Sequence, residues 1–585
     1  MRATLKVLGV VAAVAVLTVL IFLLYIRVRA GFYPSYAAKN FSNLSIQDSG
    51  SHAEGDDLIA RTDAGALQGA HIGTAIAFMG IPYARPPVGE LRWEAPQPAI
   101  PWAGVRDATR PGHACTQDPA GLVPFLAPMA RAYGSNYAEP PVDFSEDCLY
   151  LNVWTYRWPA KTALPVMVWL HGGSNRGGSG SQSTYNGVSL TARGVVLVTI
   201  NYRLGVLGFF SHPELSAQSP HHSSGNYGLL DQIAALEWVQ KNIAQFGGDP
   251  QNVTLFGESA GAIDAAMLMT SPLTGGLFRR VISESGPAFN TAVTLAQAEA
   301  LGKAVGDLAP GDPHRTPLER LRALPGPEVE ELVTQVKSRY GDTTSSFTMD
   351  GWVLPRSPRD AFLSGAIQKV DLLIGLNGRE MSAFRLAAAA TKSSENQKGG
   401  TSSGSVKQFS DAARPYFGIW TSPVVAFHVG DMLLRRSAGF DQALNDVIGA
   451  CPIGAMASLT RDAGRRVFVY RFDRAVPGKG QSELGAFHSL EIPYVFGAQH
   501  DSTWRWLPFT ADDAALSNLM QTYWTNFAKS DNPNAQGLPN WPQWNNDKKE
   551  FLEIGRDGTI SAQRNFPPIF SSLAATELKK RFSNR

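Results

Sequence analysis

One short stretch, residues 251–262, constrains the fold more than any other part of this chain. Residues 253–256 are a largely apolar run with β-branched side chains, which predicts a buried strand. Gly257-Glu-Ser-Ala-Gly261 follows at once, and residues 262–269 are rich in Ala, Met and Leu, which favour helix. A strand, a sharp turn and a helix form the context that a G-x-S-x-G nucleophile elbow requires. The pattern therefore predicts that Ser259 lies on the tip of a tight turn, at the positive end of a helix.

A second match to the same pattern, Gly400-Thr-Ser-Ser-Gly404, indicates that the motif alone is a weak signal. A chain of this length contains about 0.3–0.4 such matches by chance. The second match lies in Lys392–Ser405, a polar tract rich in Gly and Ser with no strand before it, which we interpret as a loop. Ser259 has a strand and a helix around it and Ser402 has neither, so Ser259 is the candidate nucleophile.

Length and composition exclude several classes of protein. The chain has 585 residues, of which 44% are hydrophobic, and a formal net charge of +2. It can therefore bury a large core, and it is not a disordered chain. The nearly balanced charge gives no reason to expect nucleic acid as a partner. The three cysteines form no C-x-x-C pair and no Cys/His cluster, so we expect neither a metal nor a cofactor.

The first 30 residues predict a segment that is directed to a membrane. Arg2 and Lys6 precede Val7–Ile26, twenty residues without a charge, which is the length that spans a bilayer as a helix. A cleaved signal peptide has a shorter apolar core and a small-x-small cleavage site, and residues 27–30 are a poor one. We therefore favour an uncleaved anchor, with secretion after cleavage as the alternative. Positive charges flank the apolar run at both ends, Arg2 and Lys6 before it and Arg27 and Arg29 after it, so they do not indicate which end faces the cytoplasm.

Residues 31–57 are rich in Ser, Asn, Gly and Asp and predict a flexible tether, so the globular domain is expected over 58–585. Within it, Cys115 and Cys148 bracket a long irregular segment. If they pair, the bond closes a loop of about 34 residues, worth roughly 3–4 kcal/mol. Two buried free thiols are the alternative. The leader implies export, with the domain on the oxidising side, which favours the bond.

Apolar strands that alternate with helical patterns predict a mostly parallel sheet. Pro165–Leu170 and Val195–Ile200 indicate buried strands, and Asp231–Phe246 carries apolar residues at helical spacing. The first of these strands runs into His171-Gly-Gly-Ser-Asn-Arg-Gly-Gly178, a loop type that builds oxyanion holes, although a purely structural turn is the alternative. Phe78–Trp93 is dense in Pro and Gly, which predicts a shaped loop.

Several motifs in order resemble the type-B carboxylesterase/lipase family, which includes cholinesterases and bacterial p-nitrobenzyl esterases. The matching segments extend from about residue 58 to about residue 550 and are Phe78–Trp93, Glu146–Asn152, His171–Gly173, Gly225–Gln232, Phe246–Pro250, Gly257–Gly261, Gly485–Gly497 and Tyr523–Ala528. The resemblance implies an α/β-hydrolase fold, a large and mostly parallel sheet flanked by helices in a single catalytic domain. It also implies hydrolysis of small-molecule carboxylic esters through an acyl-enzyme.

The resemblance further implies a Ser–Glu–His triad. Ser259 takes the nucleophile position, and His488 falls on the family histidine. Glu380 follows the apolar run Leu372–Leu376 in the family pattern Gly-x-Asn-x-x-Glu. The chain order Ser, Glu, His is the α/β-hydrolase order. In such a triad His488 accepts the serine proton, and the carboxylate holds the imidazole in the right tautomer.

The backbone N–H groups of Gly173, Ser174 and Ala260 are implied as the oxyanion hole. Two positions depart from the commonest family pattern. Ser174 stands where many relatives have a third glycine, and Asp264 stands where many relatives carry serine. Asp264 lies about one and a half turns along the nucleophile helix. We interpret it as a hydrogen-bonded carboxylate beside that helix, not as the triad acid.

The resemblance makes Cys115–Cys148 the first disulfide of the family and leaves Cys451 free. Leu122–Tyr137 lies inside the disulfide loop. Two interpretations remain open for this segment, because it could line the substrate entrance or pack as a surface loop.

Other residues near these motifs are expected to support the site. We expect His171 to pack under the oxyanion loop, and Glu258 and Glu491 to lie close to the triad. The alternatives to an esterase are a hydrolase of another acyl bond, such as an amide, carbamate or lactone, and a non-catalytic adhesion member of the family. The presence of Ser259, Glu380 and His488 together disfavours the non-catalytic alternative.

Overall fold

The computed structural model describes residues 58–138, 142–159, 163–289, 292–394, 406–417, 421, 424–425, 428, 439–555, 558, 560–563 and 566. The proposed membrane segment, the tether over 31–57 and Ser402 all lie outside these residues. Within the described ranges, no helix is both long enough and apolar enough to cross a membrane.

The strands alternate with helices along the chain. The strands are β1 Ile59–Arg61, β2 Ala66–Gln68, β3 Ala70–Ile72, β4 Ala75–Pro82, β5 Val105–Asp107, β6 Ala114–Cys115, β7 Phe144–Ser145, β8 Tyr150–Thr155, β9 Leu164–Leu170, β10 Val196–Ile200, β11 Gly248–Glu258, β12 Arg280–Glu284, β13 Ala292–Thr294, β14 Phe347–Met349, β15 Asp371–Asn377, β16 Val467–Phe472, β17 Phe551–Ile554 and β18 Ile560–Gln563.

Helices lie between the strands over most of the described part of the chain. The α-helices are Val123–Ala132, Val188–Thr191, Gly205–Phe209, Pro213–Gln218, Tyr227–Asn242, Ala260–Thr270, Leu295–Leu308, Pro317–Ala323, Gly326–Tyr340, Pro358–Ser364, Glu380–Ser394, Val406–Phe417, Cys451–Asp462, Gln481–Leu484, Ile492–Phe496 and Ala511–Ser530. Short 3₁₀ helices cover Gly89–Leu91, Ser183–Tyr185, Ile243–Phe246 and Pro272–Thr274, and a π-helix covers Asn445–Ala450.

One sheet of eleven strands organises the described part of the chain, in the order β18-β17-β16-β15-β12-β11-β9-β10-β8-β4-β3. The strands from β10 to β17 in this order pair in parallel, whereas β8, β4 and β3 at one edge and β18 at the other are antiparallel. This large, mostly parallel sheet flanked by helices is the α/β-hydrolase architecture that the resemblance implies.

Helices cover both faces of the central strands, so these strands are apolar on both sides. Val168 of β9 and Leu255 of β11 belong to a core on one face. Their neighbours in sequence, Trp169 and Phe256, belong to the core on the other face, where both rings pack against Phe496. The strands predicted at 165–170 and 253–256 are thus confirmed, and burial on both faces explains their continuous apolar character.

The prediction that Phe78–Trp93 is a loop is wrong for its first residues. Phe78 to Pro82 belong to β4, and β4 pairs with β8. The pairing register shifts between Phe78 and Ile81, where Gly80 has a φ of 64° and donates its N–H to Asn152 Oδ1 at 3.0 Å. The glycine therefore marks a bulge inside a strand, which explains why the local composition suggested a loop.

The predicted loop at Lys392–Ser405 is also partly wrong. The helix Glu380–Ser394 continues into its first residues, and the remainder lies outside the described residues. The alanine-rich run Ala387–Ala390 precedes the polar tract. Alanine has the highest helix propensity, so the helix extends past the point where the composition changes.

Candidate active site

The turn after β11 holds Ser259 in a strained backbone conformation. Ser259 has φ 54° and ψ −121°, and the helix Ala260–Thr270 begins at the next residue. Its N–H donates to the carbonyl of Glu284 on β12 at 2.9 Å. A Cβ atom at Gly261 would overlap the carbonyl oxygen of Leu170, so the close packing of helix on strand requires glycine there. The turn thus has the strand–turn–helix geometry predicted for an elbow.

His488 lies within hydrogen-bonding distance of both other residues of the predicted triad. Ser259 Oγ is 2.9 Å from His488 Nε2, and His488 Nδ1 is 2.5 Å from Glu380 Oε2. Glu380 begins a helix just after β15, and His488 lies between the short helices Gln481–Leu484 and Ile492–Phe496. Glu380 and His488 are both buried. The side chains come from three separate parts of the chain, and the parallel sheet gathers them at the carboxyl ends of its strands.

The carboxylate of Glu380 is fixed by donors that the sequence did not reveal. Its Oε1 accepts from Ser285 Oγ and from the N–H of Asn377, each at 2.6 Å. The N–H of Glu380 donates to Asn445 Oδ1 at 3.1 Å. These contacts leave Oε2 free to face His488 and hold the carboxylate in one orientation. Ser285 follows β12 directly and Asn377 ends β15, and a position at a strand end is too common to single out either residue from the sequence.

A second carboxylate lies close to the imidazole. Glu258 Oε1 is 3.2 Å from His488 Nε2 and accepts a hydrogen bond from Ser489 Oγ at 2.6 Å. Burial alone lowers the pKa of His488, but the charges of Glu258 and Glu380 outweigh burial and raise the pKa to about 9. Burial in turn raises the pKa of Glu258. The site therefore favours a positively charged imidazole, the form that develops during serine catalysis.

Two further buried glutamates, Glu491 and Glu284, lie near Glu258. Glu491 accepts from the side-chain amide of Asn377 and from Ser285 Oγ, and burial raises its pKa well above the usual range. Glu284 accepts from the indole N–H of Trp524 at 2.7 Å, and burial raises its pKa to about 8. The supporting position expected for Glu491 agrees with this geometry, and Glu284 is an addition that sequence reasoning missed.

The loop after β9 passes directly beside Ser259. Gly173 and Ser174 line the same cavity as Ser259, and Ala260 is the first residue of the helix that follows Ser259. A Cβ atom at Gly172 would lie 3.2 Å from that of Ser259, so the loop can approach only because it carries glycine. The three predicted oxyanion donors are thus on the two segments that flank Ser259.

His171 stands at the start of this loop and does not line the cavity. Its ring is buried and stacks on Tyr202 with a centroid distance of 4.4 Å. Burial lowers the pKa of His171 to about 4, so the ring is neutral at physiological pH. The hydroxyl of Tyr202 donates to the His171 carbonyl at 2.6 Å. The expectation that His171 packs under the loop is confirmed.

The cavity in front of Ser259 has a volume of about 600 Å³. Leu122 and Phe125 line it, so the segment inside the disulfide loop contributes to the site. The rings of Phe125 and Phe384 both lie against the His488 ring, at centroid distances of 6.1 and 4.9 Å. Phe384 follows Glu380 by one helical turn, a spacing that could have identified it from sequence. The cavity has an aromatic wall beside the imidazole.

Asp264 lies on the helix Ala260–Thr270 and does not contact the imidazole of His488. Its two carboxylate oxygens accept from Asn175 Nδ2 at 3.0 Å and from Gln232 Nε2 at 2.6 Å. The residue is completely buried, and burial raises its pKa to about 7. The interpretation of Asp264 as a hydrogen-bonded carboxylate beside the helix is confirmed by these contacts.

The disulfide expected from the resemblance is present. Cys115 and Cys148 are joined, while Cys451 is a buried free thiol. The bond closes the loop that carries the helix Val123–Ala132, and this helix provides Phe125 to the cavity wall. Among the residues that the structure describes, no group of three or more His, Cys, Asp or Glu side chains could hold a metal ion.

Comparison with known proteins assigns the chain to a family. The sequence profile of the Carboxylesterase family matches residues 56–568. Carboxylesterase 1D of Rattus norvegicus is 35% identical over 522 residues, which cover 83% of this chain and 86% of that protein. Fumonisin B1 esterase of Sphingopyxis macrogoltabida is 36% identical over 520 residues, covering 86% and 88%. A solved PNB esterase superposes with a TM-score of 0.73 at 32% identity and covers 89% of this chain and 99% of its own. The chain therefore belongs to the carboxylesterase family and is a carboxylic-ester hydrolase with the α/β-hydrolase fold.

Proposed function

We propose that Ser259, His488 and Glu380 form the catalytic triad of this esterase and that it acts through an acyl-enzyme. The observation that carries the proposal is the continuous hydrogen-bonded path from Ser259 Oγ through the imidazole to the Glu380 carboxylate. Nε2 of His488 faces the hydroxyl, so it is the nitrogen that would accept the serine proton. Nδ1 would carry the hydrogen that binds Glu380, which fixes the tautomer.

The reaction would proceed in two halves. Ser259 Oγ attacks the ester carbonyl as His488 accepts its proton, and the resulting imidazolium gives that proton to the departing alcohol. Water then attacks the acyl-enzyme as His488 accepts its proton, and the imidazolium returns that proton to Ser259 Oγ as the acyl–serine bond breaks and the carboxylic acid leaves. The neighbouring carboxylates of Glu258 and Glu380 stabilise the imidazolium in both halves, which fits the raised pKa of His488.

The backbone N–H groups of Gly173, Ser174 and Ala260 are proposed to stabilise the oxyanion of each tetrahedral intermediate. Support comes from their location, because Gly173 and Ser174 line the cavity beside Ser259 and Ala260 begins the adjacent helix. The first N–H groups of a helix have no partner within the helix and carry partial positive charge. Such donors suit an anion that forms only during the reaction.

Labelling with a fluorophosphonate probe tests the nucleophile. We expect the full-length protein to be labelled and Ser259→Ala to lose both labelling and hydrolysis of p-nitrophenyl esters. Ser402→Ala is the matched control, since it removes the serine of the second G-x-S-x-G match. Labelling that survives in Ser259→Ala and disappears in Ser402→Ala would reject the assignment. Comparing the rates for a p-nitrophenyl ester, a p-nitroanilide and a lactone then identifies the preferred acyl bond.

We also propose that the first 26 residues keep the enzyme on a membrane, with the catalytic domain on the oxidising side. The proposal is supported by the twenty uncharged residues Val7–Ile26 and by the Cys115–Cys148 bond. Carbonate extraction of membranes tests it, and full-length protein should stay in the pellet. A mature protein that begins near residue 30 would instead support secretion after cleavage.

A further inference from the structure

The loop that carries two of the proposed oxyanion donors has an unusual backbone. Ser174 and Asn175 are consecutive and both left-handed, with φ values of 58° and 54°. L-residues other than glycine rarely adopt this region, although asparagine tolerates it better than most. The N–H groups of Arg176 and Gly177 donate to the Gly173 carbonyl at 3.0 and 3.1 Å, which closes a tight turn. Such a conformation persists only where the surrounding structure fixes it.

Asn175 is the residue through which the turn is fixed. Its side chain is buried rather than exposed to solvent. The backbone carbonyl of Asn175 accepts from the N–H of Gly205 at 2.6 Å, and its side-chain Nδ2 donates to Asp264 Oδ1 at 3.0 Å. The second oxygen of Asp264 accepts from Gln232 Nε2, which lies on the helix Tyr227–Asn242. The carboxylate therefore connects the turn to two helices.

The position of Asp264 gives this connection a role in catalysis. Asp264 lies four residues after Ala260 on the same helix, and that helix supplies the third proposed oxyanion donor. A contact from Asp264 to Asn175 thus fixes the distance between the two halves of the oxyanion hole. The His488 ring contacts Ser259 and Glu380 and not Asp264, so Asp264 takes no part in proton transfer.

We propose that Asp264 is a positioning residue for the oxyanion hole, acting through its hydrogen bond to the left-handed Asn175 so that the N–H of Ser174 faces the reacting carbonyl. The inference rests on the proposed function, because it requires the oxyanion hole to include Ser174. A purely structural role would lower stability without selectively weakening the transition state. The two roles therefore differ in what they do to kcat and to the binding of a transition-state analogue.

Two substitutions of Asp264 separate these roles. Asp264→Ala removes both acceptors, and we expect kcat to fall about 10–100-fold, since small displacements of a catalytic group have effects of this size. Asp264→Asn keeps an oxygen for Asn175, and once the Gln232 amide turns over, the new amide can donate to Gln232 Oε1, a buried oxygen that has no hydrogen-bond partner among the described residues. This variant should stay within about threefold of the wild type.

The decisive measurement is the inhibition constant of an aryl trifluoromethyl ketone, which forms a tetrahedral adduct with the serine and requires the oxyanion hole. In Asp264→Ala its inhibition constant should rise by the same factor by which kcat falls, while KM of a p-nitrophenyl ester changes less than about threefold. Asn175→Ala cuts the same hydrogen bond from the other side and should give the same pattern. If Asp264→Ala does not fold, the kcat and inhibition constant of Asn175→Ala decide between a positioning role and a purely structural one.

Asn226 offers a matched control. It is also buried and left-handed, with a φ of 54°, and its Nδ2 donates to Asp350 Oδ2 at 3.1 Å. Asn226→Ala should lower the melting temperature but leave kcat and the inhibition constant unchanged. An unaltered inhibition constant in Asp264→Ala and Asn175→Ala, or equal losses in Asp264→Ala and Asp264→Asn, would overturn the inference. Failure of the proposed triad is a separate result, because it would appear as absent fluorophosphonate labelling of the wild type.

Discussion

Replacing Glu258 with glutamine tests how the buried carboxylates control the base. Glu258 Oε1 lies 3.2 Å from His488 Nε2, the nitrogen that faces Ser259 Oγ. Burial lowers the pKa of His488, but the charges of Glu258 and Glu380 raise it to about 9. A histidine must be neutral to accept the serine proton, so kcat/KM should rise with pH as His488 loses its proton. Removing one negative charge lowers this pKa and moves the rise to lower pH.

The distance sets the size of the effect. Two unit charges 3.2 Å apart interact by about 5 kcal/mol at an effective dielectric constant of about 20, which corresponds to about 4 pH units. This is an upper bound, because burial raises the pKa of Glu258 itself and so reduces its charge near neutral pH. A single neighbouring charge shifts a pKa by about 1–3 units. We therefore expect Glu258→Gln to move the acidic limb of the profile about 1–2 units towards lower pH.

The assay is the hydrolysis of a simple ester in a pH-stat, with kcat/KM determined from pH 5 to pH 10. Glu284→Gln is the matched control, since Glu284 is a buried carboxylate that binds Trp524 and is not in contact with His488. Its acidic limb should stay close to that of the wild type. An acidic limb that remains in place in Glu258→Gln, or moves to higher pH, would refute the reasoning that an ionised Glu258 raises the pKa of His488.

Three further substitutions have defined outcomes. Glu380→Gln should lower kcat about 10⁴-fold with little change in melting temperature, because the imidazole loses its orienting carboxylate; a fully active variant would exclude Glu380 from the triad. Ser174→Gly should keep most activity, whereas Ser174→Pro, which deletes the N–H, should lose about 10²–10³-fold in kcat; equal losses would indicate a role for the hydroxyl. Cys115→Ala should lower the free energy of unfolding in urea by roughly 3–4 kcal/mol, because the open loop gains conformational entropy, and an unchanged value would contradict this estimate.

The parts of the site that follow from local sequence could be predicted. The elbow at Ser259 needs a strand, two glycines and a helix in immediate succession, and all of these are visible in residues 253–269 of the sequence. His488 and Glu380 are far apart in the chain and could be assigned only from the resemblance to a family. Their approach to Ser259 depends on strand order, which no single stretch of sequence encodes.

The supporting residues could not be predicted because their roles depend on long-range contacts. Ser285 and Asn377 bind Glu380 from the ends of two neighbouring strands, yet a serine or asparagine at a strand end has no distinctive pattern. The error at Phe78–Pro82 has a related cause. Gly80 suggested a loop, but pairing with β8 and burial in the core override local propensity.

The buried glutamates lie together for the same structural reason as the residues of the proposed triad. Glu258 ends β11, Glu284 ends β12 and Glu380 follows β15, and these three strands are parallel neighbours whose carboxyl ends meet at one edge. Burial raises the pKa of Glu258 and Glu284, and a neighbouring negative charge, that of Glu380 for Glu258 and that of Glu258 for Glu284, raises it further. The negative charge beside His488 therefore depends on whether Glu258 holds a proton. It follows that the basicity of His488 is set by Glu258 as well as by Glu380.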